Sequence, residues 1–182
     1  DLREAVETII QKFGGLDILV SNAGIFPAGE SIENIPSEVW GRSIDINLTS
    51  HQRLLKQCIP YLSLGIDPAI VIVASKNVSA PGPGASAYSV AKAGLTQLAR
   101  IAALELGPKG IRVNVVHPNQ VFDTAIWTQD VLESRAKQYG KSVEDYKKSN
   151  ILRAEITSSD VAQLVCAMAG PVFAKTTGAQ VP

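Results

Sequence analysis

Tyr88 and Lys92 are the residues of this chain best suited by type and spacing to move a proton. They lie one helical turn apart in the segment "ASKNVSAPGPGASAYSVAKAGL", residues 74–95. An unperturbed phenol has a pKa near ~10, so acid–base work near neutral pH requires that pKa to fall by roughly three, which corresponds to about 4 kcal/mol. A cation about 4–6 Å away supplies roughly 3–4 kcal/mol at an effective dielectric constant of about 20. Lys92, on the same helix face, can supply that charge.

Two further polar side chains could complete a proton-handling site. Ser75 ends an apolar segment, and the loop that follows can fold back to bring its hydroxyl beside the Tyr88 phenol. No histidine lies nearby in sequence to activate this serine, so we expect it to hydrogen-bond a substrate oxygen and not to act as a nucleophile. Asn47 stands in "IDINLTSH", inside a predicted helix, where asparagine is unfavourable unless its amide is used. Each feature also has a structural interpretation: a surface tyrosine–lysine pair, a serine that merely ends a strand, and a buried amide with satisfied hydrogen bonds.

The periodicity of apolar residues predicts alternating helices and strands. Helices are predicted at residues 1–13, at about 36–64 with Pro60 bending the last turn, at about 85–106, and from Ser158 or Ser159 as the N-cap to about Ala169. Strands are predicted at 16–24, 68–75 and 111–118, and "TGAQVP" begins another. Residues 119–157 are irregular, with helical pieces near 130–139 and 143–150. The strands are continuously apolar, which predicts an α/β fold: a doubly wound parallel sheet with helices on both faces.

A parallel sheet of this kind binds its ligand beyond the carboxyl ends of its strands. Asn22, Ser75 and Pro118 all fall at the ends of predicted strands, and the loop before Tyr88 leaves the same edge. We therefore expect the binding site at this edge of the sheet.

The composition of the chain excludes several classes of binding partner. A chain of 182 residues is a one-domain length, and its formal net charge of zero argues against a nucleic-acid partner. No apolar run reaches eighteen residues, so no membrane span is predicted. Cys58 and Cys166 match no metal-ligand or redox spacing, and we expect both to be buried in a reducing, cytoplasmic protein. His51, expected at a helix surface or in helix packing, and His117, at the end of a strand, lack acidic partners, so no metal site is predicted.

Four short motifs in this order together resemble the short-chain dehydrogenase/reductase family. They are "SNAG" at 21–24, "NLT" at 47–49, Ser75, and "YSVAK" at 88–92. The resemblance covers essentially the whole chain and implies a Rossmann-like fold. It also implies NAD or NADP as the cofactor and a small alcohol or aldehyde as the substrate.

The resemblance assigns a role to each matched residue. Tyr88 would exchange a proton with the substrate oxygen, Lys92 would lower its pKa and hold the nicotinamide ribose, and Ser75 would position the substrate oxygen. Asn47 would hold a water molecule in the proton relay. The remaining cofactor contacts would come from Asn22, Ala23 and Gly24 beneath the adenine-side ribose, and from Pro118 and Val121 beside the nicotinamide.

A narrower resemblance concerns "SKNVSAPGPGASAYS" and "NVVHPNQVFDTAIWT". Both segments are similar to the dehydrogenase domain of bifunctional rhamnulose-1-phosphate aldolase/lactaldehyde dehydrogenase, which implies lactaldehyde and NAD. The chain departs from the broader family at three positions. Asn119 replaces the glycine that commonly follows the proline, Thr124 stands one position later than usual, and Lys76 stands where a second serine is frequent.

A glycine-rich phosphate-binding turn, which the family places after its first strand, does not occur in these 182 residues. "GPG" at 82–84 precedes the predicted catalytic helix, and we interpret it as loop flexibility. We therefore expect residues 1–182 to be the catalytic half of the domain, without its N-terminal βαβ units. The leading hypothesis is an NAD(P)-dependent oxidoreductase that forms a homodimer or homotetramer through its two long helices. The alternative is a non-catalytic fragment that acts only through association.

Overall fold

The computed structural model of the chain describes residues 1–27 and 29–182. Four parallel strands form one sheet in the order β1-β2-β3-β4, with β1 Ile18–Ser21, β2 Ala69–Val73, β3 Arg112–Val116 and β4 Gln180–Val181. The predicted parallel sheet is confirmed. The strands are shorter than predicted because the flanking residues already belong to the turns at each end of the sheet.

Seven α-helices accompany the sheet in the described part of the chain. They are α1 Leu2–Phe13, α2 Ser37–Ile44, α3 Ser50–Leu62, α4 Ser86–Leu106, α5 Gln129–Gln138, α6 Val143–Lys147 and α7 Ser158–Ala169. The predicted N-cap of the last helix is wrong by one residue. Thr157 caps α7, because its hydroxyl accepts from the Asp160 amide at 3.3 Å while the Asp160 carboxylate accepts from the Thr157 amide at 2.8 Å.

The predicted long helix at about 36–64 is one helical segment with a π-helical turn in its middle. Asp45–Thr49 forms this turn between α2 and α3, and Pro60 lies in the last turn of α3. Such turns are rare and occur frequently at functional sites. Asn47 lies inside the turn and is fully buried, so the sequence motif around it coincides with the irregularity.

Helices cover both faces of the sheet, as predicted. Alternate side chains of a strand point to opposite faces. Ile70 and Ile72 of β2 pack in a core cluster with residues of α1, α3 and α4, whereas Ala69 and Val71 pack in a second cluster with residues of α7.

The segment between β3 and α7 builds a small core of its own. Phe122, Leu132, Ala136 and Tyr146 are buried together, with Trp127 packed against them. Of the two cysteines, Cys58 is buried as expected, but Cys166 is exposed because it lies on the side of α7 that does not pack against the sheet. None of the helices in residues 1–27 and 29–182 combines the length and apolar character that crossing a membrane requires.

Candidate active site

A large cavity opens at the carboxyl ends of β1, β2 and β3, where the sequence predicts a site. Its volume is about 1030 Å³. Eight of the nine predicted site residues line it: Asn22, Ala23, Gly24, Ser75, Tyr88, Lys92, Pro118 and Val121. Asn47 does not line the cavity.

Ser75 follows the end of β2 and is buried against the cavity wall. Its hydroxyl oxygen accepts a hydrogen bond from the Asn77 amide at 3.2 Å and so caps the short 3₁₀ helix Lys76–Val78. The same hydroxyl interacts with the Tyr88 phenol and acts to lower its pKa. Ser75 therefore ends a strand and also reaches the phenol.

Tyr88 lies in the first turn of α4, with its ring packed edge-on against Phe26 at a centroid distance of 4.9 Å. Burial raises the pKa of Tyr88, and the opposing effect of Ser75 is smaller. The expectation that the Lys92 charge dominates this pKa is therefore not met in the protein alone. The reason is that removing the phenol from water disfavours the phenolate, while the Lys92 Nζ is 5.9 Å from the ring centroid.

Lys92 lies one turn further along α4 and is only 3% exposed. Its Nζ donates a hydrogen bond to the Val73 carbonyl oxygen at 2.9 Å. Burial lowers the pKa of Lys92 to about 8, so the side chain is still mainly cationic at neutral pH. The tyrosine–lysine pair is thus buried at a cavity, which excludes the simple surface-pair interpretation.

Asn47 acts from behind the cavity on the turn that lines it. Its Nδ2 donates to the Ile25 carbonyl oxygen at 3.0 Å and to the Ser43 hydroxyl at 3.1 Å, and its Oδ1 accepts from the Ile25 amide at 3.0 Å. The side chain is therefore the satisfied buried amide of the structural interpretation, and it fixes the 22–25 turn. A water molecule held by Asn47 remains a prediction.

His51, which the sequence predicts as a helix-surface or helix-packing residue, supports the same turn from one helical turn beyond Asn47. It is 1% exposed, its Nε2 lies 2.9 Å from the Ala23 carbonyl oxygen, and its Nδ1 lies 2.6 Å from the Ser21 hydroxyl. Burial and, to a smaller extent, the Lys92 charge lower the pKa of His51 to about 4. The neutral ring therefore donates from Nε2 to Ala23 and accepts at Nδ1 from Ser21. Its spacing of four residues from Asn47 on one helix is the sequence signal that could have revealed this role.

Gly24 lets the turn approach these helices closely. A Cβ at this position would lie 3.1 Å from Asn47 Oδ1 and 3.5 Å from Lys92 Nζ, so a larger residue would displace the turn or the two side chains. The opposite side of the turn faces the cavity.

The "GPG" segment is explained by close packing, not by the loop flexibility that we expected. Gly84 has a φ of +76°, a left-handed conformation that glycine adopts without a Cβ clash. A Cβ there would also lie 3.3 Å from the main chain of Gly29. Together with the bridge between Glu30 and Ala85, this contact fixes the loop as one wall of the cavity.

Another wall of the cavity follows β3 and contains two of the three departures from the family pattern, Asn119 and Thr124. Gln120 takes a φ of +54°, an uncommon left-handed conformation for a residue other than glycine. Thr124 lines the cavity, and its hydroxyl donates to the Val121 carbonyl oxygen at 3.0 Å. Pro118 and Val121 both line this wall, as the resemblance implies.

Several known proteins are similar to this chain in sequence. The family described as enoyl-(acyl carrier protein) reductase matches residues 1–182. The human protein named dehydrogenase/reductase SDR family member 4 is 35% identical over 141 residues, which are 76% of this chain and 51% of the human protein. D-beta-hydroxybutyrate dehydrogenase of Rhizobium meliloti (strain 1021) is 31% identical over 186 residues, which are 100% of this chain and 71% of that protein.

A solved structure shares the fold as well. Carveol dehydrogenase from Mycobacterium avium, in complex with NAD, matches with a TM-score of 0.91 and 31% identity over 100% of this chain and 68% of its own. The chain spans about half the length of its human relative. From the sequence match, the shared fold and the Ser75–Tyr88–Lys92 arrangement, the chain belongs to the short-chain dehydrogenase/reductase family of NAD(P)-dependent oxidoreductases.

Proposed function

We propose that this chain carries the proton-handling half of an active site that interconverts a small alcohol and its carbonyl compound with NAD or NADP. The observation that carries the proposal is the burial of the Lys92 cation beside Tyr88 and Ser75 at one cavity. Burying a lysine costs free energy, so packing alone does not account for it. A cation at this point is useful when a negative charge develops on the neighbouring phenol.

The residues around the cavity fit a nicotinamide dinucleotide. Lys92 uses one of its three N–H bonds on the Val73 carbonyl, which leaves two donors for ribose hydroxyls. Beside it, the turn at Gly24 is held against Asn47, with Asn22 and Ala23 lining the cavity. We assign the adenine-side ribose to this turn and the nicotinamide ring to Pro118 and Val121. When bound, NAD or NADP supplies the redox chemistry by accepting or donating a hydride.

Tyr88 moves the proton that accompanies the hydride. In alcohol oxidation, the phenolate of Tyr88 would take the hydroxyl proton, and the carbon that bears this hydroxyl would lose a hydride to the oxidised cofactor, so that a carbonyl group forms. In reduction, the phenol returns that proton to the carbonyl oxygen. The Ser75 hydroxyl donates a hydrogen bond to the substrate oxygen, and Lys92 stabilises the phenolate by its charge.

The substrate class rests on the named relatives and on the narrower resemblance. Hydroxybutyrate and carveol, in the names of two similar proteins, are small secondary alcohols. The similarity to the rhamnulose-1-phosphate aldolase/lactaldehyde dehydrogenase proteins makes lactaldehyde a candidate, which stays a prediction together with the cytoplasmic location. A chain acting only through association would have no use for a buried Lys92, so we rank this alternative second.

Tyr88→Phe in the natural protein that carries this chain tests the proposal. We expect turnover to fall about 10²–10⁴-fold, because the phenol proton is lost, while the affinity for NAD(P) stays nearly unchanged. Steady-state rates from nicotinamide absorbance and a fluorescence titration of the cofactor measure the two effects.

Tyr61→Phe is the matched control, since it removes a tyrosine hydroxyl from α3, outside the cavity. It should leave turnover unchanged. Wild-type turnover in Tyr88→Phe would exclude the proposed acid–base role.

A further inference from the structure

The lining of the cavity has an uneven charge. Three cationic side chains line it, Lys76, Lys92 and Arg135, and no aspartate or glutamate does so within residues 1–27 and 29–182. The chain as a whole has a net charge of zero, so this excess is local. Lys92 already serves Tyr88 and the cofactor in the proposed function. The other two cations have no such assignment.

Arg135 projects from α5 toward the catalytic phenol. Its guanidinium carbon lies 5.8 Å from the centroid of the Phe26 ring, and that ring packs on Tyr88 at 4.9 Å. The Phe26 ring therefore lies close to both the Arg135 guanidinium and the Tyr88 ring. The one side-chain hydrogen bond of Arg135 within the described residues goes from Nη1 to Gln138 Oε1 at 3.2 Å.

Lys76 lines the same cavity from the wall that follows β2. It follows Ser75 directly, is half-buried, and lines the cavity. Neither Lys76 nor Arg135 takes part in an ion pair in the described part of the chain, where the three ion pairs involve Arg3, Lys147 and Lys148. Unpaired cations at a partly enclosed site attract an anion, and the planar guanidinium matches both carboxylate and phosphate.

We propose that the substrate carries an anionic group, a carboxylate or a phosphate, which Arg135 binds while Lys76 adds to the attraction. This inference rests on the proposed function, since it concerns the same cavity. It favours hydroxy acids or phosphorylated alcohols over neutral compounds such as lactaldehyde. The anion would lie near Phe26, with the reacting carbon between it and Tyr88.

Substrate pairs that differ only in the anion test the proposal on the natural protein with NAD and NADP. One pair is 3-hydroxybutyrate and 1,3-butanediol, and the other is 1,2-propanediol 1-phosphate and 1,2-propanediol. We expect kcat/KM to be at least about 10-fold higher for the anionic member of one pair, and that pair identifies carboxylate or phosphate.

Substitutions test whether Arg135 causes the preference for the anionic substrate. Arg135→Gln should raise KM for the anionic member about 10–100-fold, with a smaller change in kcat and no change for the neutral member. Arg135→Lys should restore part of the loss. Lys137→Gln removes a charge from the exposed side of the same helix and should change nothing.

Binding separates this inference from the proposed function. If no compound is turned over, fluorescence of Trp127, which lines the cavity, still reports binding to the NAD(P)-loaded protein. Anion binding that Arg135→Gln weakens would support the inference, while the missing turnover would count against the proposed function. Equal rates or equal binding within both pairs, or an Arg135→Gln variant indistinguishable from wild type, would overturn the inference.

Discussion

Tyr88, Lys92 and His51 all have shifted pKa values because the fold removes them from water. The pKa of Tyr88 is raised, that of Lys92 falls to about 8, and that of His51 falls to about 4, with burial as the largest cause in each case. In every case burial favours the neutral form. Among these groups, Lys92 alone is mainly charged at neutral pH, which makes it the cation available to the phenol.

Lys92→Met tests this electrostatic role. Oxidation requires the phenolate, so its rate rises with pH, and loss of the cation should move that limb of the pH–rate profile to higher pH. We also expect weaker NAD(P) binding, because donors to the ribose are lost. The pKa of Lys92 in the folded protein, about 8, lies below its ordinary 10.5. At pH 7 the charged lysine therefore lowers the free energy of unfolding, and methionine should not destabilise the protein.

Two measurements decide the outcome for this variant. A pH–rate profile should show the moved limb, and thermal unfolding should show a Tm no lower than that of wild type. An unmoved limb in a folded variant would contradict the role of Lys92.

His51 predicts a pH dependence of stability. The unfolded chain binds a proton at the ordinary pKa of 6.5, whereas the folded chain resists it down to about 4. The stabilising contribution of neutral His51 is therefore complete above pH 6.5 and is lost as the pH falls toward 4, by up to about 3 kcal/mol. His51→Leu removes this dependence and leaves Ser21 and the Ala23 carbonyl without partners, which costs about 1–3 kcal/mol at neutral pH.

Urea denaturation of wild type and His51→Leu across this pH range measures the difference. The difference between the two free energies of unfolding should shrink as the pH falls, because only the wild type loses the contribution of neutral His51. The effects of carboxylates that titrate in both proteins cancel in this difference. Arg53→Ala, on the exposed side of α3, is the control and should parallel wild type. A constant difference between wild type and His51→Leu would show that His51 is not held neutral.

At the scale of elements, the π turn determines how α2 and α3 meet the cavity. Asn47 in the π turn and His51 in α3 hold Ile25 and Ala23, so one helical segment fixes the 22–25 turn from two points. The other side of α3 forms, with α4, a groove of about 300 Å³ lined largely by apolar side chains. On α4, Ile101 lines this groove and is 43% exposed, and Leu104, three residues further along the helix, is 78% exposed. Apolar surface of this kind is typical of an interface.

We expect the natural protein to form a dimer or tetramer through α3 and α4. Leu104→Glu should place a charge in that interface and shift the protein toward a smaller species in analytical ultracentrifugation at micromolar concentration. Gln97→Glu adds the same charge at an exposed polar position of α4 and should not change the assembly. A monomeric wild type would refute the prediction.

At the scale of the whole molecule, β1 is an edge strand of the described sheet and leads into the 22–25 turn. Within residues 1–27 and 29–182 it pairs only with β2, and its residues Ile18 and Val20 are 47% and 45% exposed. Exposed apolar edge strands readily pair with further strands. The chain spans 51% of its human relative, and its 182 residues contain no glycine-rich phosphate-binding turn.

The isolated 182-residue chain should therefore bind NAD weakly and show no dehydrogenase activity. Lys92 and the 22–25 turn can hold only part of a dinucleotide, since pyrophosphate is usually bound by backbone donors of a glycine-rich turn and a helix N-terminus. Calorimetry on the isolated chain, compared with the natural protein, measures the difference. Micromolar NAD affinity of the isolated chain would show that the described residues suffice.

The sequence alone determined the features that depend on local spacing. The periodicity of apolar residues predicted the helices, and continuous apolar runs predicted the parallel strands. The four-residue spacing put Tyr88 and Lys92 on one face of α4. The ends of the strands then predicted which loops share an edge, because parallel strands align their carboxyl ends.

Tertiary structure decided the features that depend on contacts distant in sequence. The π turn around Asn47, the His51 bond to Ser21, and the approach of Arg135 to Phe26 each join separate segments. It also decided the pKa of Tyr88, since spacing predicts the distance to a charge but not the loss of water around the phenol. Hydration and packing depend on which segments the fold brings together, and no local pattern encodes them.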